Sequence, residues 1–424
     1  MSSTPAPLPE RDPYAALRFR DFRLLIIGRF IAQIGEMTVS VGIGWELYAR
    51  TGDALALGLI GLVQILPVLT FGLYGGYIAD RYDRKRIVLI SQMVLIACSL
   101  ALAVLSLAQG PLVLIYGVLA LIGTARAFNN PAEGALTPLI IPEAYFFSAA
   151  AWSSSVWQLS AIIGPAVGGM IIGLAGSATF VYLLNAAAGG VLIAAILLMR
   201  GTPRAYTATT ESPLQAVREG WRFLRATPTI LAAISLDMVA VLLGGVTFLL
   251  PIFAADILYT DALGLGIMRA ASSIGAVAMA IYLTRRPPFR YAGWTMLLAV
   301  VGFGAATIAF GLSTSFWFSV AMLALLGALD NVSVVVRHTL ILMHTPDAMR
   351  GRVGAVNSIF IGASNELGGF ESGVAARLLG AVGAAVFGGV GTIVVTGIVA
   401  WLSPQLRRMK TLAPAAVPET TPGP

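Results

Sequence analysis

Two runs of the sequence place an arginine, an amide and a glutamate on one helical face. The first is Arg29, Gln33, Glu36 and Ser40; the second is Arg126, Asn130, Glu133 and Thr137. In each, the offsets from the arginine are four, seven and eleven residues, which an α-helix brings into line on one side. All eight residues sit within or beside long apolar runs. An ionisable group in hydrocarbon is costly, so those present face a wet interior or one another and mark a pathway. Asp330 and Arg337, seven apart, repeat the theme in a later run. Asp237, Arg269 with Ser273, and Asn365, Glu366 and Glu371 complete the set. A carboxyl that alternately takes up and releases a proton needs burial balanced by a neighbouring cation. Glu36 and Glu133 meet that description and are the candidate proton carriers. The plainer alternative is a structural ion pair of Arg126 with Glu36 or Glu133.

The elements that must hold these groups are membrane-spanning helices. Over 424 residues the chain is 58% hydrophobic and only 11% charged, with 46 glycines. A span needs about 20 apolar residues. Twelve stretches qualify, near 22–49, 55–79, 87–109, 112–134, 148–173, 178–200, 229–255, 262–284, 291–311, 315–343, 351–376 and 381–403. Only helices and closed barrels span a bilayer, and these runs are too long for barrel strands. The fold class expected is an all-α membrane protein of twelve transmembrane helices. The first stretch lacks a small-residue cleavage pattern and is read as a retained helix.

Most of the 27 basic residues fall before the first stretch, in the loop at 81–86, at 200–225, in the loops at 285–290 and 350–352, and at 407–410. That bias puts these segments and both termini on the cytoplasmic side. The net charge of +7 is therefore a topology signal, and no nucleic-acid partner is expected. The single cysteine, Cys98, allows no internal disulfide, and no Cys/His cluster suggests a metal. Residues 1–14 and 411–424, rich in Pro, Ser, Thr and Ala, read as disordered tails.

The chain also repeats itself. Shifted by 204 positions, Arg81 falls on Arg285, Arg86 on Arg290, and Pro142-Glu143-Ala144 on Pro346-Asp347-Ala348; Gly164 falls on Gly368 and Gly169 on Gly373. Coincidences at loops between the same stretches argue for six duplicated helices. The domains expected are two six-helix bundles, 15–200 and 229–410, joined by a linker at 201–228. Within the linker, Leu214, Val217, Trp221 and Leu224 at helical spacing predict an amphipathic helix lying on the inner membrane face.

Residues 75–86 read GGYIADRYDRKR, with six charged residues in the seven positions from Asp80 to Arg86, in the short gap between the second and third stretches. Gly76, Asp80, Arg81, Arg84 and Lys85 resemble the signature loop of the major facilitator superfamily, and RRPPFR at 285–290 is its weaker echo, with Thr284 where the Asp would stand. TPDAMRGRV at 345–353, IGASNELGGFESG at 361–373, WELYARTGDALALG at 45–58 and ARAFNNPA at 125–132 resemble the enterobactin-exporter-like branch, which includes macrolide and drug efflux proteins. The resemblance covers about 15–410. It implies two pseudo-symmetric bundles with a substrate held between them, lined by the first, fourth, seventh and tenth helices. It makes Asp80 a gate carboxylate docking near Met349 to Val353, with Gly76 allowing close backbone approach. It places Arg29, Gln33, Glu36, Arg126, Asn130, Glu133, Asp237, Asp330 and Arg337 on the proton and substrate pathway. Gly164, Pro165, Gly168 and Gly169 resemble the helix-5 motif of exporters.

The expected function is a proton-coupled exporter of a bulky amphipathic small molecule, a siderophore or a hydrophobic drug, working as a monomer in the cell membrane. The proton gradient is its energy source, and no cofactor is expected. The alternatives are metabolite uptake and a polytopic membrane enzyme. An enzyme needs a compact set of nucleophile, base or metal ligands, and two histidines with one cysteine offer none. No phosphate-binding Gly-x-x-x-x-Gly-Lys loop is present, so no nucleotide is expected.

Overall fold

The computed structural model describes residues 14–200, 213–287 and 289–409, and among these the chain is helical with no strand. Of the expected tails only Tyr14 lies within the described residues, as does only the second part of the linker.

The first compact unit comprises Met1–Gly42 and Thr70–Thr210. It contains the first part of α1 (Arg20–Thr51), the end of α2 (Ala54–Arg81), then α3 (Arg84–Leu107), α4 (Leu112–Gly134), α5 (Phe146–Ala175) and α6 (Thr179–Leu198). Each is continuous because a backbone in hydrocarbon must satisfy its own hydrogen bonds. The ends carry ordinary stop and start signals. Asp83 caps α3, its side chain accepting from the Lys85 N–H. Gly176 ends α5 in the left-handed region at φ 68°.

The second unit comprises Ile43–Leu69 and Glu211–Pro424. It contains α7 (Pro213–Ala226), α8 (Pro228–Gly244), α9 (Ala262–Thr284), α10 (Ala292–Gly311), α11 (Phe316–His344) and α12 (Asp347–Leu402). This grouping departs from the expected 15–200 and 229–410 halves in one segment, the hairpin tip Ile43–Leu69. The tip is seated on the second unit's own helices. Gly58 and Gly61 lie against the backbone of α12 at Phe370 and Glu366, Arg377 pairs with Asp53 at 3.3 Å, and Tyr48 donates to Asp256.

The expected helix at 229–255 is interrupted. α8 stops at Gly244, and Phe253–Ile257 forms a single π turn. Among the described residues, eleven helices are long and apolar enough to span, against twelve expected. The difference sits at Gly380, whose φ of 77° breaks α12 inside its 56 residues. The two arms match the eleventh and twelfth apolar stretches, so helical continuity merges what the sequence separates.

The predicted amphipathic helix exists as α7, but protein covers its apolar face. Val217, Trp221 and Leu224 enter a core cluster with α8, α10 and α12. Trp221 stacks 5.9 Å from Phe360, and Arg352 pairs with Glu219 at 2.7 Å. Of the four predicted apolar positions, only Leu214 is exposed.

The internal repeat reappears as packing. Gly164 of α5 lies against Ile34 and Met37 of α1, and Gly368 of α12 lies against Val241 and Leu242 of α8. Met37 and Val241 are themselves 204 positions apart, so the two halves use one contact twice.

Candidate functional site

α1 and α4 run antiparallel, so the two arginine-to-glutamate faces meet head to tail. The result is a reciprocal pair of ion pairs. Arg29 Nε donates to Glu133 Oε1 at 2.5 Å, and Arg126 pairs with Glu36 at 2.5 Å. The two differ in how firmly they are held. Glu133 also accepts from Asn129 Nδ2 at 2.9 Å, and Arg29 reaches the Glu133 backbone oxygen at 3.1 Å. A cation there also suits the carbonyl end of α4. Arg29 and Glu133 are 16% and 19% exposed, whereas Arg126 and Glu36 are 28% and 41% exposed. The Glu36 carboxylate also accepts a long contact from Gln33 Nε2 at 3.4 Å.

Both pairs line a cavity of about 370 Å³ within the first unit, together with Gln33, Asn129, Asn130 and Trp157. Its far wall holds polar groups that the sequence reading passed over. These are Gln92 and Ser99 of α3 and Asn185 of α6, with Asn185 Nδ2 donating to Ser99 at 2.7 Å. Their signal was present as lone amides inside apolar runs, but no arginine or carboxylate marked them.

α5 forms the next wall. Gly164 and Gly168 lie flush on α1, where a Cβ at either would strike Met37 or Thr38. Pro165 and Gly169 are buried beside them. The helix-5 motif thus sets the spacing of α5 from the cavity-lining turn of α1. Gly168→Val is expected to push the helices apart and cost about 1–3 kcal/mol by overpacking. A melting curve of the purified variant in detergent checks this, with Ala166→Val at a neighbouring position as the control.

In the second unit Asp237 of α8 and Arg337 of α11 form an ion pair, with side chains 8% and 3% exposed. Asp330 lies close by, beside Ser333 and Val241. The repeat relates these groups to the first unit. A shift of 204 carries Gln33 to Asp237, Glu133 to Arg337 and Arg126 to Asp330. Each unit therefore ties its first long helix to its fourth by an ion pair at the same position, 133 or 337, with the sign reversed. Neither partner on α1 is itself repeated: Arg29 maps onto Ala233 and Glu36 onto Ala240.

In the charged loop, Arg84 is the buried residue. It donates to Ala79 O at 2.9 Å and Ala135 O at 3.5 Å, and pairs with Asp80 at 3.4 Å. Lys85 Nζ donates to Met199 O at 3.1 Å. Two motif cations therefore sit on the carbonyl ends of α4 and α6, where helix dipoles favour positive charge. Arg81 lies 4.4 Å over the Tyr77 ring. Asp80 keeps 44% of its side chain exposed.

Gly76 does not serve as expected: a Cβ there would meet open space. The close approach belongs to Gly75, one residue and 100° around the helix. Gly75 lies against the backbone oxygen of Ala127. That oxygen is the one Pro131, having no N–H, leaves without its helical donor. The glycine and the proline are thus two halves of one α2–α4 contact.

A sequence-family profile described as transmembrane secretion effector matches residues 11–421. The enterobactin exporter EntS of Shigella boydii is 26% identical over 404 residues, covering 93% of this chain and 94% of that protein. EntS of Citrobacter koseri is 26% identical over 412 residues, covering 95% of each. Among solved structures, a bacterial homologue of the human lysosomal transporter Spinster, inward-facing and occupied, superposes with a TM-score of 0.73 at 14% identity. The match covers 95% of this chain and 100% of that one. The nucleoside transporter NupG superposes with a TM-score of 0.66 at 13% identity, over 92% and 100%. These likenesses show the fold.

Proposed function

The chain belongs to the transmembrane secretion effector family, within the major facilitator superfamily, and from that premise we propose that it exports an amphipathic small molecule in exchange for protons. It is a multi-pass membrane transporter, not an enzyme. The observation that carries the coupling is the Glu36–Arg126 pair, the more exposed of the two ion pairs in the cavity. A substrate hydroxyl or ammonium donates to ionised Glu36. Protonation removes the charge of that acceptor and weakens its hold on the substrate, so proton and substrate compete for one site, which is the requirement for antiport. Glu133, held by Arg29 and Asn129, fixes α1 on α4. Gln33 and Asn130 offer further polar contacts, and Trp157, 57% exposed, offers an aromatic face. The cavity volume lies within the usual range for small-molecule sites.

The substrate reading is a catecholate-type siderophore, a molecule rich in ring hydroxyl donors. It draws support from the relatives named as enterobactin exporters. The carrier works as a monomer, with both termini on the cytoplasmic side and the proton gradient as its energy source. Asp80 is the gate carboxylate, set in place by the anchored Arg84. Asp237, Arg337 and Asp330 belong to the second half of the pathway, with Asp237–Arg337 in the holding role.

Cells lacking their own exporters, expressing this chain or Asp80→Asn, test the reading. Restored secretion of a catecholate siderophore, falling at least about tenfold in the variant (a barrier change near 1.4 kcal/mol), is the expected result. Lower accumulation of a macrolide dye without siderophore secretion would replace the substrate. Neither effect, with the protein in the membrane, would overturn export.

A further inference from the structure

The first unit has a second cavity, on its outer surface and separate from the charged one. It is a groove of about 280 Å³ between α3 and α4, lined by Ile87, Ile90, Ser91, Val94, Leu121 and Phe128, with Thr124 at its floor. From Ile87 to Val94 it runs about 10 Å along α3, at 1.5 Å per residue. Its walls are almost wholly apolar. The Thr124 hydroxyl is turned inward to Ala120 O. Phe128 forms one end and stacks with Phe71 of α2 at 6.4 Å.

The charge beside this groove is one-sided. Arg86 precedes Ile87 and stands one turn from Ile90, so it lies on the groove face of α3. Its side chain is 83% exposed, and it pairs with Asp83 at 3.7 Å. At that length and exposure the pairing is loose. Arg81 adds a second exposed guanidinium at the end of α2. A polar oxygen-bearing head fits beside Arg86 only if its tail is apolar enough for the groove. Neither water nor a soluble anion meets both demands.

We propose that this groove is a binding site for an anionic phospholipid, with one acyl chain lying between α3 and α4 and the phosphate beside Arg86. Basic positions near the membrane surface attract anionic headgroups, and a groove that fixes the chain turns that attraction into a site. The site is independent of the transported substrate and of the direction of transport.

Native mass spectrometry of the purified full chain, titrated with phosphatidylglycerol or phosphatidylcholine of matched palmitoyl-oleoyl chains, tests the proposal. Phosphatidylglycerol adducts are expected to be held about fivefold more tightly than phosphatidylcholine adducts, the effect of one juxtamembrane arginine. Arg86→Gln should erase the preference and Arg86→Lys should keep it. Thr124→Trp, filling the groove, should weaken both adducts. Equal binding of the two lipids by the wild type, or an unchanged preference in Arg86→Gln, would overturn the site. Because Arg86 is a surface side chain, Arg86→Gln reports on binding even if the groove-filling variant misfolds.

Discussion

Asp237→Ala is expected to destabilise the protein by about 3–5 kcal/mol, because it strands the buried Arg337 guanidinium in an apolar helix bundle. The pair is almost fully enclosed, so little solvent screening softens the loss. Arg337→Ala should cost a similar amount by stranding the carboxylate. Replacing both, as Asp237→Leu with Arg337→Leu, should restore most of the stability, since a buried pair exchanged for apolar groups of similar volume is often neutral. Thermal melts in one detergent check the cycle, with single variants falling on the order of 10 °C and the double variant near the wild type. A double variant as unstable as the singles would show that the pair is not the source of the loss. The repeat extends the prediction to Glu133→Ala, which removes the equivalent tie between α1 and α4.

Glu36→Gln should behave in the opposite manner. The site is half open, the amide can still accept from Arg126, and the fold should survive. What should vanish is coupling. A one-unit pH difference supplies about 1.4 kcal/mol per exchanged proton, or about tenfold accumulation of substrate. In Glu36→Gln that accumulation should fall to unity while downhill exchange continues. Substrate binding to the wild type should weaken as pH falls, since the proton occupies the acceptor the substrate uses, and binding to Glu36→Gln should be insensitive to pH.

The parts of this protein that stood out in the sequence are those where chemistry contrasts with surroundings. Arg29, Glu36, Arg126 and Glu133 are conspicuous because charge in an apolar run is rare, and helical spacing put each set on one face. Which arginine faces which carboxylate was not legible, because that depends on the antiparallel register of α1 against α4. The motif cations were visible as charge, but their seats on the carbonyl ends of α4 and α6 depend on where distant helices end. Gly75 and Gly76 are indistinguishable in a sequence, and the contact partner in α4 decides between them. The linker helix showed its apolar face plainly. Nothing in that pattern tells whether lipid or α12 covers it, since both are apolar. The repeat was legible as matching loops, yet its most informative product, the sign-reversed pairs at 133 and 337, joins unlike residues that a search for identity passes over.

The central claim is that Glu36 exchanges a proton for the substrate. The direct measurement uses proteoliposomes holding the purified chain, with a catecholate siderophore as substrate and an imposed pH gradient of known size. Wild-type protein should accumulate the substrate against its gradient, release protons in fixed ratio to it, and lose both when Glu36 is replaced by Gln. Gradient-driven accumulation that persists undiminished in Glu36→Gln would contradict the account.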